Sequence, residues 1–104
     1  MSDKIAIFAK VRIQPGKRDD AVQAFKIVTD AVVDEPGTEA YVLHADSKDG
    51  DVIWVYELYA DKAAFDAHGK SAAMGELIGA LGPLLAGAPE LSFTKPLSAK
   101  GLDI

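Results

Sequence analysis

An α+β domain with four strands and two helices in the order βαββαβ, built on an antiparallel sheet, is the fold this sequence predicts. Three observations predict it. Four short segments are apolar on at least one face, two longer segments carry helical spacing, and Pro-Gly, Gly-Pro or Asp-Gly pairs break most of the connections. The 104 residues support one domain, 1–104, with a core over about 4–95 and a tail from 96 to 104.

The first strand reads from Lys4 to Gln14, with Ile5, Ile7, Ala9, Val11 and Ile13 on one face. Its other face, Ala6 to Gln14, starts apolar and ends charged. Pro15-Gly16 breaks it. A helix from about Lys17 to Val33 places Ala21, Phe25, Val28 and Val32 on one stripe, and Glu35-Pro36-Gly37 ends it. Thr38–Asp46 and Asp51–Ala60 read as a hairpin around Ser47-Lys48-Asp49-Gly50. Asp61 is suited to cap a second helix, because its carboxylate can accept from the free amides of the first turn. That helix carries Ala64, Phe65 and His68, loosens at Gly69, and resumes through Met74, Leu77, Ile78 and Leu81. Glu90–Lys95 is the last strand. The order is the ferredoxin-like one.

Val52-Ile53-Trp54-Val55-Tyr56 and Ile5 to Ala9 are apolar on both faces, whereas a sheet wet on one side would alternate. Two helices cover one face, so a second copy of the sheet is expected on the other, giving a homodimer packed face to face.

Composition narrows the function. Eleven Lys and Arg against sixteen Asp and Glu leave a net charge of −5, which speaks against a nucleic-acid partner. Cys is absent, so disulfides, thiolate metal sites and thiol chemistry are excluded. No apolar run reaches the roughly 20 residues of a membrane span, and Met-Ser-Asp-Lys is followed by no signal core, so a cytoplasmic location is expected. Gly69-Lys70-Ser71 has Ala64 where a phosphate loop needs glycine. Asp46–Asp51 puts its Gly one place too early for a calcium loop, and His44 and His68 share no metal spacing. No Gly-x-Ser-x-Gly elbow is present.

The remaining constellation is Trp54, Tyr56, Glu57, Tyr59, Phe65 and His68. Parity puts Trp54, Tyr56 and Leu58 on one face of the third strand, and Ile53, Val55, Glu57 and Tyr59 on the other. With the first and third strands taken as neighbours running parallel, Arg12 points to the dimer side and pairs with Glu57 there as a structural ion pair. Trp54 and Tyr56 then lie under the helices near His68. His68 is the expected base, because histidine is the side chain suited to proton transfer near neutral pH.

Pro15-Gly16-Lys17, Asp34-Glu35-Pro36-Gly37-Thr38 with Tyr41, and Tyr56-Glu57-Leu58-Tyr59-x-Asp61-x-x-Ala64-x-x-x-His68 with Ser71 together resemble the antibiotic biosynthesis monooxygenase domain family over about Ile5 to Lys95. The resemblance implies a dimeric α+β barrel. It also implies cofactor-free oxidation of quinols or polycyclic phenols by dioxygen, with no cofactor, no metal, and a small aromatic substrate as partner. A haem-degrading branch of the family uses Asn on the first strand and Trp then His on the second helix. Here those places hold Lys10 and Val11, His68 and Ile78, so haem degradation is not expected. The implied chemistry takes His68 as catalytic base and Trp54, Tyr56, Tyr59 and Phe65 as substrate-binding residues. The alternative is a non-enzymatic dimeric module for a small hydrophobic ligand or a stress-related role. A filled core would favour that module, and an open cavity lined by Trp54 and His68 the enzyme.

Overall fold

The computed structural model describes residues 3–104. The strands are β1 (Ile5–Arg12), β2 (Thr38–Ala45), β3 (Val52–Tyr59) and β4 (Glu90–Thr94). The helices are α1 (Arg18–Ala31), α2 (Lys62–Gly69) and α3 (Ala72–Leu81), with single 3-10 turns at Val32–Asp34 and Gly82–Leu84. The sheet order is β2-β3-β1-β4, and every neighbouring pair is antiparallel. The ferredoxin-like α+β fold is therefore as expected.

One element differs in kind. The second helix is two helices, because Ser71 closes one and opens the next. Its Oγ donates to the His68 carbonyl at 2.7 Å and accepts from Met74 N at 3.3 Å, so the chain turns at Lys70 where a single helix would have run on. Asp61 caps α2 as expected, accepting from Ala64 N at 2.8 Å.

The relation of β1 to β3 corrects the parity reading. These strands run antiparallel, with Ile7 opposite Glu57, Phe8 opposite Tyr56, Lys10 opposite Trp54 and Arg12 opposite Val52. The reason is topological: the α1 crossover returns β2 parallel to β1, and the hairpin then reverses β3. Cross-strand partners share a face, so Arg12 and Glu57 lie on opposite faces and cannot pair. Arg12 instead bonds Glu90 of β4 at 2.7 Å.

The core lies on the helix side. Ala9, Val11, Ile53 and Val55 of the sheet meet Ala21, Ala24, Phe25 and Val28 of α1 and Leu77 and Leu81 of α3. Of the stripe read from the sequence, Ala21, Phe25 and Val28 are on the buried face of α1, while Val32 is half-buried in the 3-10 turn that follows. Gly37 permits one close approach: a Cβ there would stand 2.5 Å from the Ala64 methyl, so only glycine lets α2 settle onto the start of β2.

Among the described residues no helix covers the other face. Phe8 is 47% exposed and Trp54 36%, and Val42 is exposed beside them. Phe8 and Tyr56 are in ring contact at 5.3 Å. Among the described residues no helix is long and apolar enough to cross a membrane.

Candidate active site

A cavity of about 300 Å³ opens between the sheet and α3. Its walls are apolar, with Ala9 and Val11 from β1, Phe25 from α1, Val55 from β3 and Met74, Leu77, Ile78 and Leu81 from α3. Its two polar side chains are Tyr41 and Glu57. They are neighbours because β2 and β3 pair with Tyr41 opposite Glu57. Odd-numbered positions of both strands face the helices, which turns these two inward beside Leu43 and Val55.

Glu57 is held from behind. Tyr59, fully buried two residues along on the same face, donates its hydroxyl to Glu57 Oε1 at 2.5 Å. That bond engages one oxygen of a carboxylate whose side chain lines the cavity. Burial pushes the Glu57 carboxyl above the ordinary carboxylate range, and the Tyr59 hydroxyl and the nearby His68 partly offset this. Burial, then the negative charges of Glu57 and Glu35, push the Tyr41 hydroxyl well above the usual tyrosine range. Burial and Glu57 do the same for Tyr59. Both therefore remain hydrogen-bond donors at any working pH.

His68 stands one layer further out, on α2. Its ring lies 5.5 Å from Tyr41 and 5.2 Å from Tyr59, centroid to centroid. It is 3% exposed, and its Nδ1 is 2.9 Å from Glu35 Oε1. Nε2 is buried and has no hydrogen-bond partner among the described residues. His68 belongs to the wall of a second groove, with Glu35, Gly37, Thr38, Ala64 and Ser71, and not to the lining of the main cavity.

The expected site residues thus divide. Glu57, Tyr59, Phe65 and His68 come together, with Phe65 edge-on to Tyr59 at 5.4 Å and to Phe93 at 5.5 Å. Trp54 and Tyr56 do not join them, and the expectation of both under the helices is corrected: they lie on the open face. There Trp54 Nε1 donates to Asp46 Oδ1 at 2.8 Å and Lys10 Nζ sits 5.4 Å from its ring. The cause is the antiparallel register described above. The cavity is open, but Tyr41 and Glu57 line it instead of Trp54 and His68.

Sequence reasoning missed Tyr41 as a cavity residue and Glu35 as the partner of His68. The hairpin offered only part of a signal for Tyr41, since a turn centred on Ser47–Gly50 sets it opposite Tyr56, one residue away from the observed partner Glu57. Glu35 meets His68 across 33 residues with no periodicity to announce it. Among the described residues no cluster of three or more His, Cys, Asp or Glu is arranged to hold a metal.

The site is thus a ferredoxin-like sheet with an apolar cavity under its helices, and a carboxylate and a phenol as the polar groups inside. The chain belongs to the antibiotic biosynthesis monooxygenase family, whose model matches residues 4–79. Among solved structures it is similar to a candidate antibiotic biosynthesis monooxygenase of Caulobacter crescentus, with 28% identity over 93% of this chain and 92% of that one and a TM-score of 0.87. A candidate of the same family from Chloroflexus aurantiacus is 27% identical over 96% and 99%, with a TM-score of 0.80. A Nitrosomonas europaea protein, 15% identical over 97% of each chain, shares the fold with a TM-score of 0.89. No curated protein sequence matches the chain.

Proposed function

We propose that the protein is a cofactor-independent monooxygenase that oxidises a quinol or polycyclic phenol with dioxygen, using Glu57 as the proton acceptor. One observation carries this reading: a carboxylate with a raised pKa lines an apolar cavity beside a phenol that stays protonated. A base poised nearer neutrality is a better proton acceptor for a phenol than an ordinary carboxylate.

The chemistry follows from the electrons. Triplet dioxygen reacts slowly with closed-shell organics, so the substrate must become the reductant. Glu57 takes the phenolic proton, and the Tyr41 hydroxyl donates to the resulting phenolate in a medium where few waters compete. The electron-rich anion passes one electron to dioxygen. The superoxide and the ring radical then combine at carbon, and the proton held by Glu57 returns to the peroxide. Loss of water, with the hydrogen of that carbon, leaves a new carbonyl. For a hydroquinone the balance is quinol plus dioxygen to hydroxyquinone plus water. His68 acts through Glu57 in this reading, because it does not reach the cavity.

The test is aerobic oxygen uptake with a panel of hydroquinones and anthrones. Consumption of one dioxygen per product is expected. Uptake that Glu57→Gln does not slow would overturn the assignment.

The open sheet face belongs to the same reading, with a second copy of the chain as its occupant. Phe8, Val42, Tyr56 and Trp54 form an apolar surface on a sheet whose other side is already packed, and the Arg12–Glu90 pair borders it. Light scattering at micromolar concentration should return about twice the 11.0 kDa chain mass. A stable monomer would refute the dimer.

A further inference from the structure

Glu35 lies outside the cavity lining, yet it holds the buried imidazole. Its Oε1 accepts from Thr38 Oγ1 at 2.8 Å and faces His68 Nδ1 at 2.9 Å. An ionised carboxylate can only accept, so the hydrogen of this contact sits on Nδ1. The Thr38 hydroxyl, at the first residue of β2, fixes the carboxylate in turn. Any proton that changes the charge of His68 must therefore come and go at Nε2, which is buried with no hydrogen-bond partner among the described residues. The ring packs against Tyr41 and Tyr59, and its charge acts on Glu57.

We infer that Glu35 is a positioning residue for the reaction proposed above. By holding His68 through Nδ1–H, it lets the imidazole carry a positive charge beside Glu57, which keeps the cavity carboxylate ionised and ready to accept a proton. The inference rests on the role given to Glu57.

Glu35, from the turn before β2, meets the imidazole directly, and Tyr41 and Tyr59, the neighbours of Glu57, stand on its other side. The other titratable groups around them are Tyr41 on β2, Tyr59 on β3 and Asp34, which shares the outer groove with Glu35 and His68. On α2, Lys62 pairs with Asp66 at 2.9 Å on the wet side. Toward Glu57, β1 and β4 present Ile7 and Phe93, and α3 presents Met74, Leu77 and Ile78 to the cavity. Glutamine at position 35 keeps an oxygen that can accept from both Nδ1–H and Thr38, but the anion is gone. The imidazole then loses the charge that favours its cationic form, and Glu57 loses the cation that favours ionisation.

The experiment is a carboxyl-carbon NMR titration of Glu57 in the full-length protein, with 4-nitrophenol absorbance as the probe of the cavity. Glu35→Gln should move the Glu57 midpoint upward by about one pH unit, the lower end of what an opposite charge at close range does to a carboxylate. His68→Gln should move it equally, and the double variant should add nothing. Glu35→Asp, which keeps the charge, should recover part of the shift. With an accepted quinol, the acid limb of kcat/KM should follow the midpoint while KM on the plateau stays near the parental value. A Glu57 midpoint unmoved in Glu35→Gln, even with a lower melting temperature, would overturn the inference and leave Glu35 a structural partner only. Should Glu35→Gln fail to fold, the midpoint in His68→Gln decides the matter in the same way. Failure of the underlying reading reads out separately: 4-nitrophenol whose ionisation in the bound state ignores Glu57→Gln would remove Glu57 from the site, whatever its midpoint does.

Discussion

Glu57→Gln is expected to slow oxidation of an accepted quinol by roughly 10²–10⁴-fold, the usual worth of a positioned base, while leaving the fold as stable as before or more so. The two halves of this result have one cause. A glutamine oxygen can still accept from the Tyr59 hydroxyl, which now meets Glu57 at 2.5 Å, so the packing of β3 is kept. The carboxylate it replaces is costly when ionised, because burial raises the pKa of Glu57 in the folded chain above its unfolded value. A raised carboxyl contributes stability that is fully present below the unfolded pKa and lost as pH rises through the folded one. The variant escapes that loss, so its advantage over the parent should grow with pH across this window and persist at neutrality. Each 1 kcal/mol gained would appear as roughly 4–8 °C in melting temperature for a domain of this size. Calorimetry at several pH values beside oxygen uptake checks both halves. A melting temperature several degrees lower at neutral pH would show that the charge is paired after all. Pairing with Arg12 would have required that drop, but Arg12 is engaged by Glu90 on the far side of the sheet.

Phe25→Ala should cost about 3–5 kcal/mol, a large share of the roughly 5–15 kcal/mol that holds a typical domain together. Phe25 is buried on α1 among Val11, Val28, Leu77 and other members of the core. It also forms part of the cavity wall, so truncation merges the lost ring volume with space already open. Urea unfolding gives the stability change directly. The same variant should take bulkier phenols than the parent, since the wall recedes where the ring stood. A loss below about 1 kcal/mol would mean that the neighbouring side chains collapse into the gap and that α1 does not define the cavity.

Much of the fold was legible because its signals are local. Pro15-Gly16, Pro36-Gly37 and the Ser47–Gly50 turn lie at the boundaries seen in the structure, and the Phe25–Val28 stripe is the buried face of α1. The break at Ser71 was only half visible, as a weakness at Gly69, because Ser71 acts through two hydrogen bonds that depend on where His68 ends its helix. The site was harder to read for a specific reason. Parity along a strand separates Trp54 and Tyr56 from Glu57 and Tyr59, but it does not say which set faces the helices. Strand direction supplies that answer: with β3 antiparallel to β1, Glu57 pairs with Ile7 on the inner face and Tyr56 with Phe8 on the outer. Taking the two strands as parallel moved the aromatic pair to the wrong side and invented a partner for Arg12. The contact of Glu35 with His68 had no such route to it, since it depends on how closely α2 approaches β2 at Gly37.

Every polar group assigned to the reaction lies between residues 35 and 68, on the β2–β3 hairpin, the turn before it and the helix after it. Most of the apolar wall comes from elsewhere, from β1, α1 and α3. Substitution at Val11, Phe25, Leu77 or Ile78 can reshape what fits without altering how a proton is taken. A lineage built this way can drift from one ring system to another while inheriting its proton chemistry intact, so the size and outline of the wall residues should diverge among descendants faster than the charges of the hairpin unit.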